Sequence, residues 1–172
     1  MRTRVAHLLA LAALFAVSAD AIDDVTISAT RQTLDKNAAR KDGNTSVEER
    51  EIVYNVKVTS RSFRDLENLT IRYNIFVENA ELGSTAKPEI RPVAGSHQIE
   101  RLVNNKPVEF ETTPIKLGRE KLDGGWYFKG GGEKNARDRV AGLWFRAFDA
   151  AGEQIGEYAN PTSVKTKQTW KD

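Results

Sequence analysis

Sulfur-containing side chains are almost absent from this chain of 172 residues. It contains no cysteine and a single methionine, Met1. Without cysteine the protein cannot form a disulfide, a cysteine-ligated zinc site or an iron–sulfur cluster, and it has no thiol nucleophile. Disulfide-held secreted scaffolds and cysteine-dependent enzymes are therefore excluded as classes.

An excess of one charge is also lacking. Lys and Arg number 26 and Asp and Glu number 24, which gives a formal net charge of +2. Because nucleic-acid-binding domains usually have a clear basic excess, this balance argues against a nucleic-acid partner. Hydrophobic residues make up 40% of the chain and charged residues 29%, a composition that favours a compact core over disorder.

Long hydrophobic runs are confined to the N-terminus. Arg2 and Arg4 precede an uninterrupted apolar run, residues 8–17, and the segment ends in a small-x-small pattern at Ala21. This arrangement is typical of a secretory signal peptide, and the run is shorter than the ~20 residues that span a bilayer. A buried first helix is the alternative interpretation.

The predicted signal peptide covers residues 1–21, with cleavage after Ala21 or, alternatively, after Ser18. No later stretch approaches ~20 apolar residues, so we expect no transmembrane segment in the mature chain. Residues 22–172 are predicted to form a single domain in the periplasm or outside the cell. His97 is the one histidine of that domain.

Alternation of apolar and polar residues is the strongest structural signal. Apolar side chains occupy every second position in residues 69–77, and the same pattern fills residues 52–58. A period of two marks a strand with one buried face. The polar segment 61–68 connects these two long strands, and their closeness in sequence predicts that they are antiparallel neighbours.

Other strand patterns surround this pair. Residues 140–149 are apolar at both parities, as in a central strand covered on both sides. Pro114 interrupts the alternating stretch 108–117, which indicates a sheet edge or a bulge. Residues 98–103 fit either a short strand or a short helix capped by Ser96, and we favour the strand.

Weaker patterns complete the predicted architecture. Alternation from Val25 fades after Gln32, and residues 154–158 form a late strand. Residues 35–49 are polar and are expected to be a mobile loop or the tip of a hairpin, and the glycine-rich residues 122–139 are expected to be a second long loop. With about seven to eight strands and no long amphipathic helix, the chain is predicted to be an all-β antiparallel sandwich.

Three strand segments resemble a known group of proteins. They are YNVKVTSRSF and LENLTIRYNIFVE, followed late by GLWFRAFDAAGEQIGEYANP. Over roughly residues 22–170 the chain is similar to the small secreted immunoglobulin-like β-sandwich proteins of bacteria. This resemblance implies an immunoglobulin-like or fibronectin-III-like sandwich that serves as a binding, adhesion or scaffold module. It also implies that Val56 or Val58, with Phe145 or a neighbour, fills the volume of the missing disulfide.

Motifs that would support catalysis are scarce. A single mature histidine excludes a multi-histidine metal site, and no calcium-loop motif is present. Ser96 and His97 point to opposite sides of an extended chain, no G-x-S-x-G elbow occurs, and we interpret His97 as part of a surface loop. We therefore predict no catalytic, cofactor or metal site, although a glycosidase needs only two carboxylates.

Trp126, Tyr127 and Phe128 are the candidate contact residues for a ligand or partner. Three consecutive aromatic residues place side chains on both sides of an extended segment, so one of them can reach the surface. Flanking glycines would let the segment form a platform that stacks on sugar rings or inserts into a protein groove. The alternative, favoured because aromatic residues are more often buried, is that Trp126 and Phe128 close the open end of the sandwich.

Three functions stay open on the sequence alone. The first is a non-catalytic interaction or structural module of the cell envelope, with an unknown protein as partner. The second is a lectin-like module that binds a polysaccharide through the same aromatic residues. The third, and the least favoured, is a small hydrolase that uses carboxylates or His97.

Overall fold

The fold comes from a computed structural model that describes residues 23–36 and 40–171. Among these residues the chain forms ten β-strands and one four-residue helix. The strands are β1 Val25–Lys36, β2 Arg40–Asp42, β3 Thr45–Ser60, β4 Leu66–Asn79, β5 Glu89–Leu102, β6 Val108–Glu111, β7 Ile115–Leu122, β8 Asn135–Arg137, β9 Arg139–Phe148 and β10 Gln154–Asn160, and the helix is α1 Val164–Lys167.

The all-β prediction is confirmed, while the predicted signal peptide, residues 1–21, lies outside the described residues. No helix in the described part of the chain is long and apolar enough to cross a membrane.

Two short strands correct the expected number of about seven to eight strands. β2 and β8 have three residues each and lie in segments 35–49 and 122–139. β2 forms a hairpin with β3, which agrees with the hairpin alternative for residues 35–49, whereas β8 corrects the loop expected for residues 122–139. β2 pairs with β3, and β8 pairs with β7. Neither strand has an alternating pattern of its own, so hydrogen bonding to a longer neighbour is what makes these segments strands.

The first sheet is built around β3. Its sixteen residues pair on one side with β2 and then β1, and on the other side with β7 and then β6, all antiparallel. β8 is added on the far side of β7. The predicted interruption at Pro114 falls between β6 and β7. These two strands pair with successive parts of β3 on the same side.

The second sheet has the order β10, β9, β4, β5 and is antiparallel throughout. β9 is an inner strand with Leu143, Trp144 and Phe145 buried, which confirms the central strand predicted at residues 140–149. β5 includes most of the ambiguous segment 98–103, so the preference for a strand there is also confirmed.

The two long alternating segments lie in different sheets, which corrects the expected antiparallel pairing. β3 belongs to the first sheet and β4 to the second, so the connection at residues 61–65 crosses from one layer to the other. Val56 and Val58 of β3 share one core with Ile71 and Ile75 of β4. Alternation shows that one face of a strand is buried. The pattern is the same whether a second strand pairs with the first in one sheet or packs opposite it in another sheet.

The two sheets approach each other at both margins of the core. At one margin the N–H of Asp24 donates to the carbonyl of Ile155 with an N–O distance of 2.8 Å, and Gly156 leaves room for Val25. At the other margin His97 of β5 stacks on Phe110 of β6, with ring centroids 4.1 Å apart. Direct contacts therefore close the core on both sides.

The C-terminal segment, residues 164–171, covers the outer face of the second sheet. Val164 packs with Trp144 in a second buried cluster. The guanidinium of Arg146 lies 4.4 Å from the ring centroid of Trp144 and 4.3 Å from that of Trp170. This cover explains why β9 is apolar at both parities, since one face meets the core and the other meets the C-terminal segment.

Candidate binding site

The three consecutive aromatic residues lie on the connection between β7 and β8, residues 123–134, called the aromatic loop from here on. Trp126 is 55% exposed and Tyr127 is 74% exposed. Phe128 is half-buried, and its ring lies so close to Gly83 that a Cβ there would be 3.0 Å from it. Trp126 and Tyr127 therefore face solvent, Phe128 anchors the loop, and Trp126 does not close the end of the core.

Hydrogen bonds at its start fix the aromatic loop to the hairpin between β2 and β3. The N–H of Asp123 donates to the carbonyl of Asn44 at 2.8 Å. The hydroxyl of Ser46 donates to the carboxylate of Asp123, with an Oγ–Oδ1 distance of 2.7 Å. This bond, with the positive charge of Lys41, holds the pKa of Asp123 below its ordinary value. The loop therefore starts from a fixed position.

The far end of the aromatic loop is fastened to the loop between β4 and β5, residues 80–88. The N–H of Gly83 donates to the carbonyl of Glu133 at 2.9 Å, and the N–H of Glu133 returns a hydrogen bond of 3.2 Å to the same loop. A Cβ on Gly132 would collide with the carbonyl of Gly83, so the close approach of the two backbones requires glycine at this position.

A polar cleft opens where these two loops meet the ends of β4, β8 and β9. It has a volume of about 430 Å³, and its charged lining consists of Glu78, Glu81, Glu133, Arg137 and Arg139. Arg139 donates to Glu78 with an Nη2–Oε1 distance of 2.8 Å, and this bond raises the pKa of Arg139. Across the described residues, no group of three His, Cys, Asp or Glu side chains could hold a metal ion.

The aromatic loop and the cleft share Gly131 and Glu133, so both can contribute to one binding surface. Exposed Trp and Tyr side chains supply large rigid contact areas, which dominate the energetics of protein interfaces. The same rings can stack on the apolar face of a sugar, while carboxylates and guanidiniums in the cleft can bind its hydroxyls. The arrangement therefore suits binding to a protein or to a polysaccharide.

His97 is not in a surface loop, which corrects its interpretation from the sequence. It lies on β5, half-buried and opposite Ile71 of β4, and its ring is stacked on Phe110 with 7° between the planes. Ser96 beside it is exposed. β5 is an edge strand with few apolar residues, so its length was not visible in the sequence.

No pattern in the sequence predicts that the residues of the cleft lie close together. Glu78 lies near the end of β4, Arg137 on β8 and Arg139 at the start of β9. Glu78 and Arg139 meet because β4 and β9 pair antiparallel, with these two residues opposite each other. No local pattern encodes this pairing, and the polar, glycine-containing stretch 80–88 was the available signal for a loop at this end.

Comparison with known proteins identifies no family, since no family model and no curated protein matches the chain. A solved target of the Northeast Structural Genomics Consortium is 8% identical, with 79% of this chain and 85% of that chain covered, at a TM-score of 0.40. A second consortium target, from Bordetella pertussis, is 12% identical, with 79% and 91% covered, at a TM-score of 0.38. A protein from Akkermansia muciniphila is 12% identical, with 88% and 81% covered, at a TM-score of 0.33. Likenesses this remote carry no argument about function.

Proposed function

We propose that the protein is an exported, non-catalytic binding module of the cell envelope that contacts a protein partner through Trp126 and Tyr127. On this proposal residues 1–21 are removed as a signal peptide, and the domain works in the periplasm or outside the cell. Residues 22–172 then form an immunoglobulin-like or fibronectin-III-like sandwich. The observation that carries the proposal is the exposure of the two adjacent aromatic side chains on a loop that is fastened at both ends.

The anchoring of the loop supports a binding role for the exposed rings. Phe128 packs on Gly83, Asp123 is bonded to the β2–β3 hairpin, and Glu133 is bonded to the loop between β4 and β5. A contact surface that is ordered before binding loses little conformational entropy when it meets its partner. Exposed aromatic residues held in this way resemble the rigid anchors of protein-binding surfaces.

A polysaccharide ligand is the second candidate, and the polar cleft is the observation that favours it. Glu81, Glu133 and Arg137 line the cleft next to the aromatic loop. These side chains could accept and donate hydrogen bonds to sugar hydroxyls while Trp126 or Tyr127 stacks on a ring. Retention on an immobilised polysaccharide, competed by the soluble sugar and lost in W126A/Y127A, would favour this candidate over a protein partner.

Crosslinking capture with a matched control tests the proposed function. Tagged wild-type protein, W126A/Y127A and F63A are each isolated, after mild crosslinking, from the envelope of the cells that express them. Phe63 is 100% exposed and lies in the connection after β3, at the opposite end of that strand from the aromatic loop. F63A therefore removes an exposed aromatic ring from a different surface.

We expect wild type and F63A each to recover one partner protein, identified by mass spectrometry, in an amount close to that of the tagged protein itself. W126A/Y127A should recover at least about ten-fold less of this partner. The double variant should keep the unfolding midpoint of wild type, because both rings are exposed. Equal recovery of that protein by all three forms would reject this surface as the contact site.

A further inference from the structure

In the described part of the chain, four arginines gather on one face of the first sheet. Arg31 lies on β1, Arg50 on β3, Arg119 on β7 and Arg137 on β8. Arg119 is directly opposite Arg137, and Arg50 is opposite Leu117, two residues before Arg119. Residues that are opposite or diagonal on neighbouring strands project from the same face, so Arg50, Arg119 and Arg137 share one surface. Arg31 is opposite Tyr54, which lies four positions after Arg50 and therefore on the same face of β3.

This surface continues the side of the sheet that faces the core. Ile52, two positions after Arg50, is fully buried, and Leu117, two positions before Arg119, is 1% exposed. Because side chains two positions apart on a strand point the same way, the buried apolar rows of β3 and β7 are each continued by an arginine. Arg50 and Arg119 therefore lie where the apolar core ends, and Arg137 is beside them because it is opposite Arg119.

A small recess of about 50 Å³ lies among these side chains. Its lining consists of Glu48, Arg50, Leu117, Gly118, Arg119 and Arg137. A water molecule occupies about 30 Å³ of liquid volume, so the recess accommodates a compact group of a few atoms. An entire metabolite would extend out of it.

The charges around Arg50 repel one another. Burial lowers the pKa of the Arg50 guanidinium, the positive charges of the other three arginines lower it further, and Glu48 partly offsets them. Like charges directly opposite each other on neighbouring strands destabilise a sheet, and Arg119 and Arg137 are such a pair. The fold therefore brings cations together at a cost in stability.

Among the described residues, Glu48 supplies the one carboxylate in the lining of the recess. Glu48 forms an ion pair with Arg119, with an Oε2–Nη1 distance of 3.9 Å. Three guanidiniums and this one carboxylate line the recess and leave two positive charges in excess, which is the charge that a sulfate or a hydrogen phosphate group balances.

We propose that this recess binds a sulfate or phosphate group through Arg50, Arg119 and Arg137. The planar guanidinium fork donates parallel hydrogen bonds to oxyanions, and three forks from adjacent strands surround one tetrahedral group. The bound anion replaces repulsion among the arginines by attraction and thereby stabilises the folded state. The recess shares Arg137 with the polar cleft, but none of its lining residues lies in the aromatic loop, so this inference does not rest on a contact through Trp126 and Tyr127.

Titration of the folded protein with sodium sulfate and with sodium phosphate tests the site. Sodium chloride at the same ionic strength is the reference, and binding is followed by amide chemical shifts and by the midpoint of thermal unfolding. Both anions are kept below about 20 mM, because sulfate at high concentration stabilises proteins generally. We expect a saturable shift of the Gly118 amide and a higher midpoint than in chloride.

Substitutions within and outside the recess decide whether the arginines are responsible. R50Q and R119Q each remove a charge-assisted hydrogen-bond donor and should weaken binding at least about ten-fold. K116Q removes the same charge from β7, where Lys116 is exposed on the opposite face, and should bind like wild type. An absence of saturation in wild type, or an equal affinity of wild type and R50Q, would overturn the assignment.

Phenyl phosphate distinguishes the two sources of such a group. If this ester binds with the affinity of inorganic phosphate, the recess takes the oxyanion as the terminal group of a larger ligand. If the inorganic ions bind and the ester does not, the free ion is the ligand.

In chloride alone, R50Q should unfold at the same temperature as wild type or at a higher one, because one repelling charge is gone. A lower midpoint of R50Q would contradict the proposed repulsion.

Discussion

Asp138 and Gly118 are joined by two hydrogen bonds. The N–H of Gly118 donates to the carboxylate of Asp138, with an N–Oδ2 distance of 2.9 Å, and the N–H of Asp138 donates to the carbonyl of Gly118 at 2.8 Å. The other carboxylate oxygen, Oδ1, accepts from the N–H of Ala80 at 3.2 Å. Because Gly118 belongs to the first sheet and Ala80 directly follows β4 of the second, one carboxylate links the two sheets where the chain crosses between them.

Replacing Asp138 by alanine should destabilise the fold by about 1–3 kcal/mol, since two backbone donors lose their acceptor. D138N keeps one amide oxygen and should lose less. Urea unfolding measures both effects, and E120A, at an exposed position of β7, is the control expected within about 0.5 kcal/mol of wild type. A D138A protein as stable as E120A would show that the link contributes nothing.

Strand positions could be predicted from the sequence, but sheet membership could not. Alternation located β3 and β4 and their buried faces, and the apolar run of β9 indicated cover on both sides. Whether β3 and β4 pair or face each other depends on the path of the connection at residues 61–65. That path is set by how all the strands share one core, which no local pattern records.

The candidate site was predictable only as a segment. Trp126, Tyr127 and Phe128 stood out as consecutive aromatic residues, but which of them is exposed depends on Phe128 meeting Gly83 on a distant loop. The arginine face has the same origin, because Arg119 and Arg137 become neighbours only when β7 and β8 pair. Long-range pairing therefore creates both surfaces.

Gly95 should not tolerate a side chain, because the ring of Tyr73 occupies the space that its Cβ would need. The two residues are opposite each other on β4 and β5, and the Tyr73 hydroxyl accepts from the N–H of Thr113 at 3.0 Å. G95A must displace this buried ring, which should cost about 1–3 kcal/mol in chemical denaturation. G124A is the matched control, since a Cβ there meets no described atom within 4 Å. Equal stability of the two variants would contradict this contact.

Glu157 should make stability depend on pH in the acid range. Burial raises its pKa, but hydrogen bonds from Lys165 and Trp144, and the charge of Arg146, hold it below the ordinary value of 4.5. Because the pKa is lower in the folded state, the stabilisation is complete above about pH 4.5 and is lost as the pH falls through the folded pKa.

E157Q should therefore be less stable than wild type at neutral pH, and the difference should shrink as the pH falls below about 4.5. Urea unfolding over a pH series measures this difference, with E153Q, at an exposed position, as the control. A difference between wild type and E157Q that stays constant with pH would assign the loss to packing instead of to the ionised carboxylate.

Trp170 should protect Trp144 from solvent. The two rings meet edge to face, with centroids 5.2 Å apart and 79° between their planes, and Trp144 is 6% exposed. The chain has three tryptophans, so in W126F/W170A the fluorescence comes from Trp144 alone. We expect red-shifted emission, stronger quenching by acrylamide and a stability loss of about 1–3 kcal/mol, because an aromatic pair and a cation–π contact are lost.

W126F/W170F is the matched control for this experiment, since it keeps a ring at position 170 while Trp144 again reports alone. Its emission should stay blue-shifted and its quenching weak. Equal quenching in the two double variants would mean that Val164 and the strand neighbours of Trp144 shield it without the ring of Trp170. Stronger quenching in W126F/W170A alone would establish that the ring of Trp170 is part of the outer cover of β9, on the face of the strand that points away from the shared core.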